Sequence, residues 1–390
     1  MKPVIVMFAG LALSACASAP RLPPADDLFD DARFAVPAQP VDDPLALSPA
    51  MRAYLDGDLA ARVRRVGAAR GLAEALQAEL SLEYDAAQTR TAAQAFAGRT
   101  GNCLSLVLLS AALARELEVP IRFRSIRGYD TVSRSDEWVF VSGHVNVLLG
   151  TPANSPVSVS TQPAEPALVV DFMPPRAAQR LFSVEIPERT VLAMFHNNRA
   201  AEALVAGDLD AAYAAAQRAI RLDPGYAAAY NSLGLVYRRH GDAPLAERVL
   251  RRGLQLEPEN PRLLGALAGA LDQQQRPAEA AQVRQRLAEV LPYPPFWFLD
   301  QGLQRLAAGD MPQALRLLRR EQARMPHDHE VNFALAVASY LAGQPRLAER
   351  YLRLARDYSP TAERRALYAA KLDRLRAQSR DLQRPGHPNG

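Results

Sequence analysis

Three residues in the middle of this chain have the types needed for covalent acyl-transfer chemistry. Cys103 opens an apolar helical pattern, and a helix N-terminus favours a thiolate because the helix dipole and free N–H groups stabilise negative charge. His144 alone among the six histidines falls on a strand-like segment of the same region. Asp171 lies inside an otherwise apolar strand, where a buried carboxylate needs a partner. A nucleophilic cysteine needs a histidine base and a group that orients this base, and the three residues are of the types that supply these roles.

The sequence around these residues predicts helices followed by strands. Helical periodicity covers about 49–65, 69–81 and 92–97, and then the run that Cys103 opens. After Val119-Pro120 the pattern becomes strand-like, at 121–126, 138–141, 145–149 and 168–172. Helices first and strands later indicate an α+β domain with an antiparallel sheet over residues 49–190.

The motifs in this region resemble the transglutaminase-like cysteine hydrolase superfamily, over about residues 80–175. The matching motifs are Gly101-Asn102-Cys103, Ala114-Arg115-Glu116-Leu117-Glu118-Val119-Pro120, His144 and Asp171-Phe172. The resemblance implies a papain/transglutaminase-like α+β fold with Cys103 as nucleophile, His144 as general base and acid, and Asp171 as the orienting carboxylate. It implies no cofactor and no metal. Many members have Ala-Trp after the histidine, whereas this chain has Val145-Asn146.

The oxyanion of such a reaction needs donors beside Cys103. The backbone N–H of Cys103 is one, since amides at a helix N-terminus suit a developing oxyanion. Tyr84 or Gln94 is a candidate for the second. The resemblance implies a thioester intermediate on Cys103. Water as the acceptor of its acyl group gives hydrolysis, and an amine gives transamidation. Hydrolysis is favoured because nothing in the sequence marks an amine site. The alternative is a degenerate site, with a buried structural cysteine, a hydrogen-bonded core histidine and a turn aspartate.

A period of 34 residues runs through the C-terminal half of the chain. It is set by Pro224, Pro258, Pro292, Pro326 and Pro360. An alanine stands twelve residues before each proline, and four glycines and Gln275 keep the same period. The pattern resembles the tetratricopeptide repeat (TPR). It predicts an all-α solenoid of five hairpins over 193–360, a capping helix at 361–378 and a disordered tail at 379–390.

Stacked hairpins form a groove that binds extended peptides or partner helices. The predicted first helices of the repeats carry polar and aromatic residues suited to such a groove: Tyr230, Asn231, Tyr237, Arg238 and Asn332. A protein or peptide ligand is therefore the expected partner of the repeats. A rigid spacer without a ligand is the alternative.

The N-terminus has the pattern of a bacterial export signal. Within residues 1–15, Lys2 precedes an apolar run that is too short to span a bilayer. The run ends in Leu13-Ser14-Ala15-Cys16, which resembles a lipobox and implies acylation of Cys16. Ala17 in place of aspartate favours the periplasmic face of the outer membrane. An ordinary secretory signal and a chance match are the alternatives. Residues 16–48, rich in proline and aspartate, predict an extended tether.

Composition excludes several classes of protein. With 390 residues, 49% of them apolar, and only two cysteines, the chain is neither disordered throughout nor a disulfide scaffold. A formal charge of +4 indicates no nucleic-acid partner. We expect a lipid-anchored periplasmic cysteine amidohydrolase or peptidase whose TPR array docks a partner or substrate. The alternative function is a non-enzymatic TPR scaffold lipoprotein with a degenerate transglutaminase-like binding domain.

Overall fold

The computed structural model describes residues 25–35, 43–86, 88–135, 138–150, 167–172 and 182–383. The predicted export signal and Cys16 lie outside these ranges. Two units follow one another in the described chain. The first combines helices with a small sheet, and the second is a row of helical hairpins.

The first unit begins with helices, as the periodicity predicts. They are α1 (Pro49–Tyr54), α2 (Ala60–Val66), α3 (Ala68–Glu74), α4 (Ala92–Gly98) and α5 (Cys103–Glu116). Two π-helical turns, Leu55–Leu59 and Ala75–Glu79, extend α1 and α3. Short strands β1 (Glu83–Tyr84) and β2 (Thr100–Gly101) pair in parallel just before α5. Helix α5 is buried almost throughout and forms the centre of this unit's core.

Four antiparallel strands cover α5. They are β3 (Ile121–Ser135), β4 (Trp138–Leu149), β5 (Leu168–Val170) and β6 (Ser183–Ile186), in the order β5-β4-β3-β6. The helices and the antiparallel sheet lie in the predicted region, but the predicted strands 138–141 and 145–149 are one strand, and β6 was not predicted. The papain-like family assignment stays a prediction. The sheet matters for the site because it places the end of β5, just before Asp171, beside the middle of β4, where His144 lies.

The second unit consists of five helical hairpins of tetratricopeptide type. The pairs are α6 (Glu188–Ala206) with α7 (Leu209–Leu222), α8 (Ala227–His240) with α9 (Ala243–Leu256), α10 (Pro261–Gln273) with α11 (Pro277–Val290), α12 (Trp297–Ala307) with α13 (Met311–Arg324), and α14 (His329–Leu341) with α15 (Pro345–Asp357). Helix α16 (Ala362–Gln383) caps the row and runs five residues beyond the predicted 378, into the predicted tail. We number the hairpins repeats one to five.

Small residues of the 34-residue period allow the two helices of a repeat to approach closely. A Cβ at Gly234 would lie 2.6 Å from the Leu250 side chain, and one at Gly302 would lie 2.8 Å from Leu318. Gly207 ends α6 with φ 78°, a left-handed conformation that glycine adopts without strain. The recurring small residues and glycines thus serve helix packing and helix termination.

The two units contact each other near both ends of the array. Thr89 accepts hydrogen bonds from Asn102 of the first unit and Asn198 of α6, and its own N–H donates to Glu202. Farther along, Arg134 of β3 pairs with Asp300 of α12 and Glu330 of α14. These contacts fix the repeats against the helix-and-sheet unit.

The prediction of an extended tether over 16–48 is wrong for its described parts. Residues 25–35 form two short 3-10 turns, Asp26–Leu28 and Asp31–Arg33, on repeats one and two. Leu45 is buried in the core of the helix-and-sheet unit. Composition did not predict this packing, because a few apolar anchors are enough to hold a segment when another surface supplies hydrogen-bond partners for its aspartates.

Candidate functional site

Cys103 is the first residue of α5 and is buried. A hydrogen-bonded network fixes the turn in front of it. Asn102 caps the helix, with its Oδ1 accepting from Ser105 N at 2.9 Å and from Ser105 Oγ at 2.8 Å. Its Nδ2 donates to Thr89 at 2.9 Å. Every polar group of the Asn102 side chain is thereby used, which holds the start of α5 in one position.

Gly101 is the residue that this turn can least replace. A Cβ there would lie 2.7 Å from Ser105 Cβ, an atom that cannot move without the helix backbone. Gly101 also pairs with Tyr84 across β1 and β2. The glycine of the Gly-Asn-Cys motif is therefore required by the close approach of the turn to α5.

His144 lies on β4 and contacts both other predicted site residues. Its Nε2 is 2.7 Å from Asp171 Oδ1, and because a carboxylate only accepts, the histidine donates this hydrogen bond. Asp171 directly follows β5, whose pairing with β4 sets Val170 opposite Val147. A second hydrogen bond joins His144 to Cys103. With Nε2 engaged by Asp171, Nδ1 is the ring nitrogen left for the sulfur.

The surroundings of His144 favour its protonated form. Burial alone lowers the pKa of His144, but the hydrogen bonds to Asp171 and Cys103 outweigh burial and raise the pKa to about 9. The three side chains thus have the contacts that nucleophilic attack and proton return to a leaving group require.

Two further residues hold Asp171 in place, and sequence reasoning missed both. Asn146 Nδ2 donates to Asp171 Oδ2 at 2.7 Å, and Arg124 Nε donates to Asn146 Oδ1 at 3.0 Å. Asn146 lies two residues after His144, so its side chain is on the same face of β4. The alternation of side chains along the strand was the signal that could have identified Asn146. The resemblance could not, because Asn146 stands where this sequence differs from the superfamily pattern.

The two candidate side-chain donors to the oxyanion, Gln94 and Tyr84, lie in different surroundings. Gln94 is exposed and forms the capping box of α4, with its Oε1 accepting from Thr91 N and its own N–H donating to Thr91 Oγ1. The capping box uses the Oε1 and the backbone N–H of Gln94 and not its Nε2 donor, so the role of Gln94 stays a prediction. Tyr84 is half-buried and lies beside the Cys103 turn through its pairing with Gly101. Tyr84 and the Cys103 N–H stay as candidates.

Three of the five predicted groove residues do not line an open surface. Tyr230, Tyr237 and Asn332 are buried. Tyr230 donates to Pro224 O, and Asn332 donates to Pro326 O and Asp328 O, so both stabilise turns between repeats. Asn231 and Arg238 are half-buried. Periodicity identified the first helices correctly, but it does not separate their packed face from their open one.

The described ranges hold no group of three or more His, Cys, Asp or Glu residues placed to bind a metal ion. No helix in the described chain combines the length and the apolar character needed to cross a membrane.

Comparison with known proteins identifies similar repeat structures. No family model and no curated protein matches the chain. Similar solved structures include PilF of Pseudomonas aeruginosa, 22% identical over 50% of this chain and 88% of that one, with a TM-score of 0.28. YrrB, described as a TPR protein with an unusual peptide-binding site, is 23% identical over 46% of this chain and 92% of its own, with a TM-score of 0.25.

Yeast Tom70 is 15% identical and covers 50% of this chain and 42% of its own length, with a TM-score of 0.33. All three similarities are weak in overall superposition and involve about half of the chain. The tetratricopeptide assignment therefore depends on the chain's own 34-residue period and on the five helix pairs that follow it.

Proposed function

We propose that this chain is a docking protein whose tetratricopeptide-type repeats bind a protein or peptide partner. The observation that carries the proposal is a set of exposed apolar side chains, called here the patch, on α11, α12, α14 and the turn between α11 and α12. Among the described repeat residues, the exposed large apolar side chains, Val205 apart, lie between 290 and 341. The patch consists of Val290, Tyr293, Trp297, Leu303, Tyr340 and Leu341. Exposed apolar side chains concentrated in this way are typical of interaction sites.

The chemistry of the patch supports a polypeptide ligand. Trp297 and Leu341 are 46% and 59% exposed, which leaves large apolar surfaces for contact. Asp300, three residues after Trp297 on α12, and Glu330, at the start of α14, bind Arg134, whose guanidinium lies 4.9 Å from the Phe296 ring centroid. Because Arg134 already pairs with both carboxylates, the exposed aromatic and aliphatic side chains are what a ligand would contact, and they suit a polypeptide with apolar side chains.

A displayed peptide library tests this function. The folded chain should enrich peptides that lose at least about tenfold in affinity when Trp297 and Tyr340 are both changed to alanine, the scale of hot-spot losses at interfaces. Leu367→Ala, which removes a similarly exposed side chain from α16 outside the repeats, is the matched control. Enrichment that is absent, or equal in all three proteins, would contradict the docking function.

A second candidate function is favoured by the contacts of His144: a cysteine amidohydrolase or peptidase. In that reaction Cys103 Sγ attacks an amide carbonyl, and the imidazolium of His144 protonates the departing amine as the C–N bond breaks. Water then attacks the thioester carbonyl and gives its proton to His144, releasing a carboxylic acid and restoring Cys103. Asp171, held by Asn146, keeps the ring oriented through both steps.

Alkylation of Cys103 by iodoacetamide tests this candidate. In a Cys16→Ser background Cys103 is the remaining cysteine, so mass spectrometry reports its modification directly. At pH 6 we expect rapid alkylation that slows at least about tenfold in His144→Gln and less in Asp171→Asn. An equal alkylation rate in wild type and His144→Gln would contradict the hydrolase function, and only the scaffold function would remain.

The location proposed for the protein is the periplasmic face of a bacterial outer membrane, through acylation of Cys16. The lipobox-like Leu13-Ser14-Ala15-Cys16 supports it. Metabolic labelling with a palmitate analogue should mark the wild-type chain and leave Cys16→Ser unmarked. Labelling of neither chain would contradict the anchor.

A further inference from the structure

The segment Ala25–Ala35, called here the acidic segment, lies on repeats one and two although it belongs to neither. Two buried tyrosines bind its backbone. Tyr213 OH accepts from Asp30 N at 2.9 Å, and Tyr237 OH donates to Leu28 O at 2.8 Å. Asp30 N also lies 3.1 Å from Tyr237 OH. The repeats therefore bind main-chain groups of the segment, as well as its side chains.

Apolar anchors of the acidic segment enter the repeats. Leu28 and Phe34 are 3% and 6% exposed and belong to the core of repeats one to three. The Phe34 ring stacks on Tyr213 with centroids 4.1 Å apart and planes 9° from parallel. Phe29 lies beneath the guanidinium of Arg221, 5.0 Å from the ring centroid. The segment is therefore held by side-chain pockets as well as by its backbone.

Charge adds selectivity to this contact. The acidic segment carries four aspartates and one arginine. Asp31 Oδ1 accepts from Tyr213 OH at 2.7 Å and from Gln217 Nε2 at 2.6 Å, and these two hydrogen bonds lower the pKa of Asp31. Asp27 lies 3.7 Å from Arg248 and 3.8 Å from Arg252. The receiving surface thus matches a carboxylate placed between two apolar anchors.

The residues that bind the acidic segment are not repeated along the array. One repeat farther on, Tyr213 is replaced by Glu247 and Tyr237 by Leu271. The equivalent positions in later repeats hold alanine, leucine, arginine, serine and glutamate, so a pair of tyrosines is particular to repeats one and two. Tyr213, Tyr237 and Gln217 are buried, and without the segment their hydroxyl and amide groups would lose the partners described above.

We propose that repeats one and two form a binding site for acidic peptides with two apolar anchors, and that the acidic segment is its ligand in cis. The partner is a protein whose exposed acidic segment repeats this pattern: an aliphatic anchor, a carboxylate three residues later and an aromatic ring three residues after that. Such a partner must displace Ala25–Ala35, so the chain blocks its own site. The inference deepens the docking function proposed above by assigning a ligand class to a second surface.

Fluorescence anisotropy with a labelled synthetic peptide of residues 25–35 tests the proposal on the full chain carrying Cys16→Ser. In wild type the site is filled by a ligand whose effective concentration is on the order of millimolar. For an intrinsic Kd of about 10 μM, this weakens the binding of the peptide added in trans by about 100-fold. Leu28→Ala with Phe34→Ala removes both anchors and should restore binding. Ala32→Ser, at an exposed position of the same segment, should leave the site blocked.

The site itself is tested in the opened chain. Adding Tyr213→Phe removes one hydroxyl while keeping the ring, and should weaken peptide binding by about tenfold. The proposal is overturned if the opened chain, folded by circular dichroism, fails to bind the peptide. Equal binding to wild type and opened chain, or indifference to Tyr213→Phe, would overturn it as well. None of these results alters the library test of the patch on the second half of the array, so the two proposals fail separately.

Discussion

Asn146 donates a hydrogen bond of 2.7 Å to Asp171 on the carboxylate oxygen opposite the one that His144 binds. Both oxygens of the aspartate are therefore held, and Asn146 is held in turn by Arg124. The residue at which this sequence departs from the superfamily pattern thus positions the carboxylate beside the histidine.

Replacing Asn146 with alanine should destabilise the chain. Asp171 Oδ2 and Arg124 Nε would each lose a partner in a part-buried setting, at a cost of about 1–3 kcal/mol. Urea unfolding followed by circular dichroism measures the change. Gln77→Ala is the control, because it removes an exposed 3.4 Å hydrogen bond to Val169 O and should have a small effect. Equal losses in both variants would contradict the role of Asn146.

The protonation of His144 should depend on Asp171. The carboxylate is one of the groups that raise the pKa of His144 to about 9 against the effect of burial. In Asp171→Asn we expect the pKa of His144 to fall below its wild-type value, as followed by NMR titration of the imidazole C–H signals. Asp300→Asn, which removes a carboxylate from α12 instead, should leave that titration in place. An unchanged midpoint in Asp171→Asn would contradict the observed pairing.

Alkaline pH should weaken the fold through the same histidine. The pKa of His144 in the folded chain, about 9, exceeds the ordinary 6.5. The stabilisation is therefore complete below about pH 6.5 and is lost as the pH rises through 9. Urea midpoints measured from pH 6 to 9.5 should decline in wild type. They should decline less in His144→Gln, and parallel curves for the two proteins would refute this linkage.

Replacement by alanine should change the stability of the fold in opposite directions at two glycines, Gly234 on α8 and Gly265 on α10. At Gly234 the new Cβ would meet Leu250 at 2.6 Å, so Gly234→Ala should cost about 1–3 kcal/mol by overpacking. At Gly265 the nearest atom would be Leu287 Cδ2 at 3.8 Å, and alanine should stabilise α10 by about 0.5–1 kcal/mol. Thermal melting measures both effects: the melting temperature should fall in Gly234→Ala and rise in Gly265→Ala. Equal shifts in melting temperature would contradict the helix packing described above.

Sequence periodicity predicted much of the repeat unit because each repeat depends on local spacing. The prolines, alanines and glycines spaced by 34 residues correspond to turns, helix contacts and helix ends of the structure. The same periodicity did not show that Tyr230 and Asn332 form hydrogen bonds to the turns between repeats. Those bonds depend on how each helix is rotated about its axis against its neighbours.

The candidate site was predictable in its three main residues but not in their support. Cys103, His144 and Asp171 could be chosen by residue type and element, and the structure brings them together. The sequence did not show that Gln94 forms the capping box of α4. The position of Ala25–Ala35 could not be predicted, because its partners are about 180 to 220 residues away in the chain.

Site-specific photo-cross-linking tests the central claim, a docking function of the repeats, most directly. Benzoylphenylalanine would replace Leu341 in the exposed patch and, as the control, Leu367 on α16; the two side chains are 59% and 52% exposed. In the cells that produce the chain, the docking function predicts a discrete protein adduct at Leu341, weakened by Trp297→Ala and missing at Leu367. The same adducts at both positions, or none at Leu341, would contradict it.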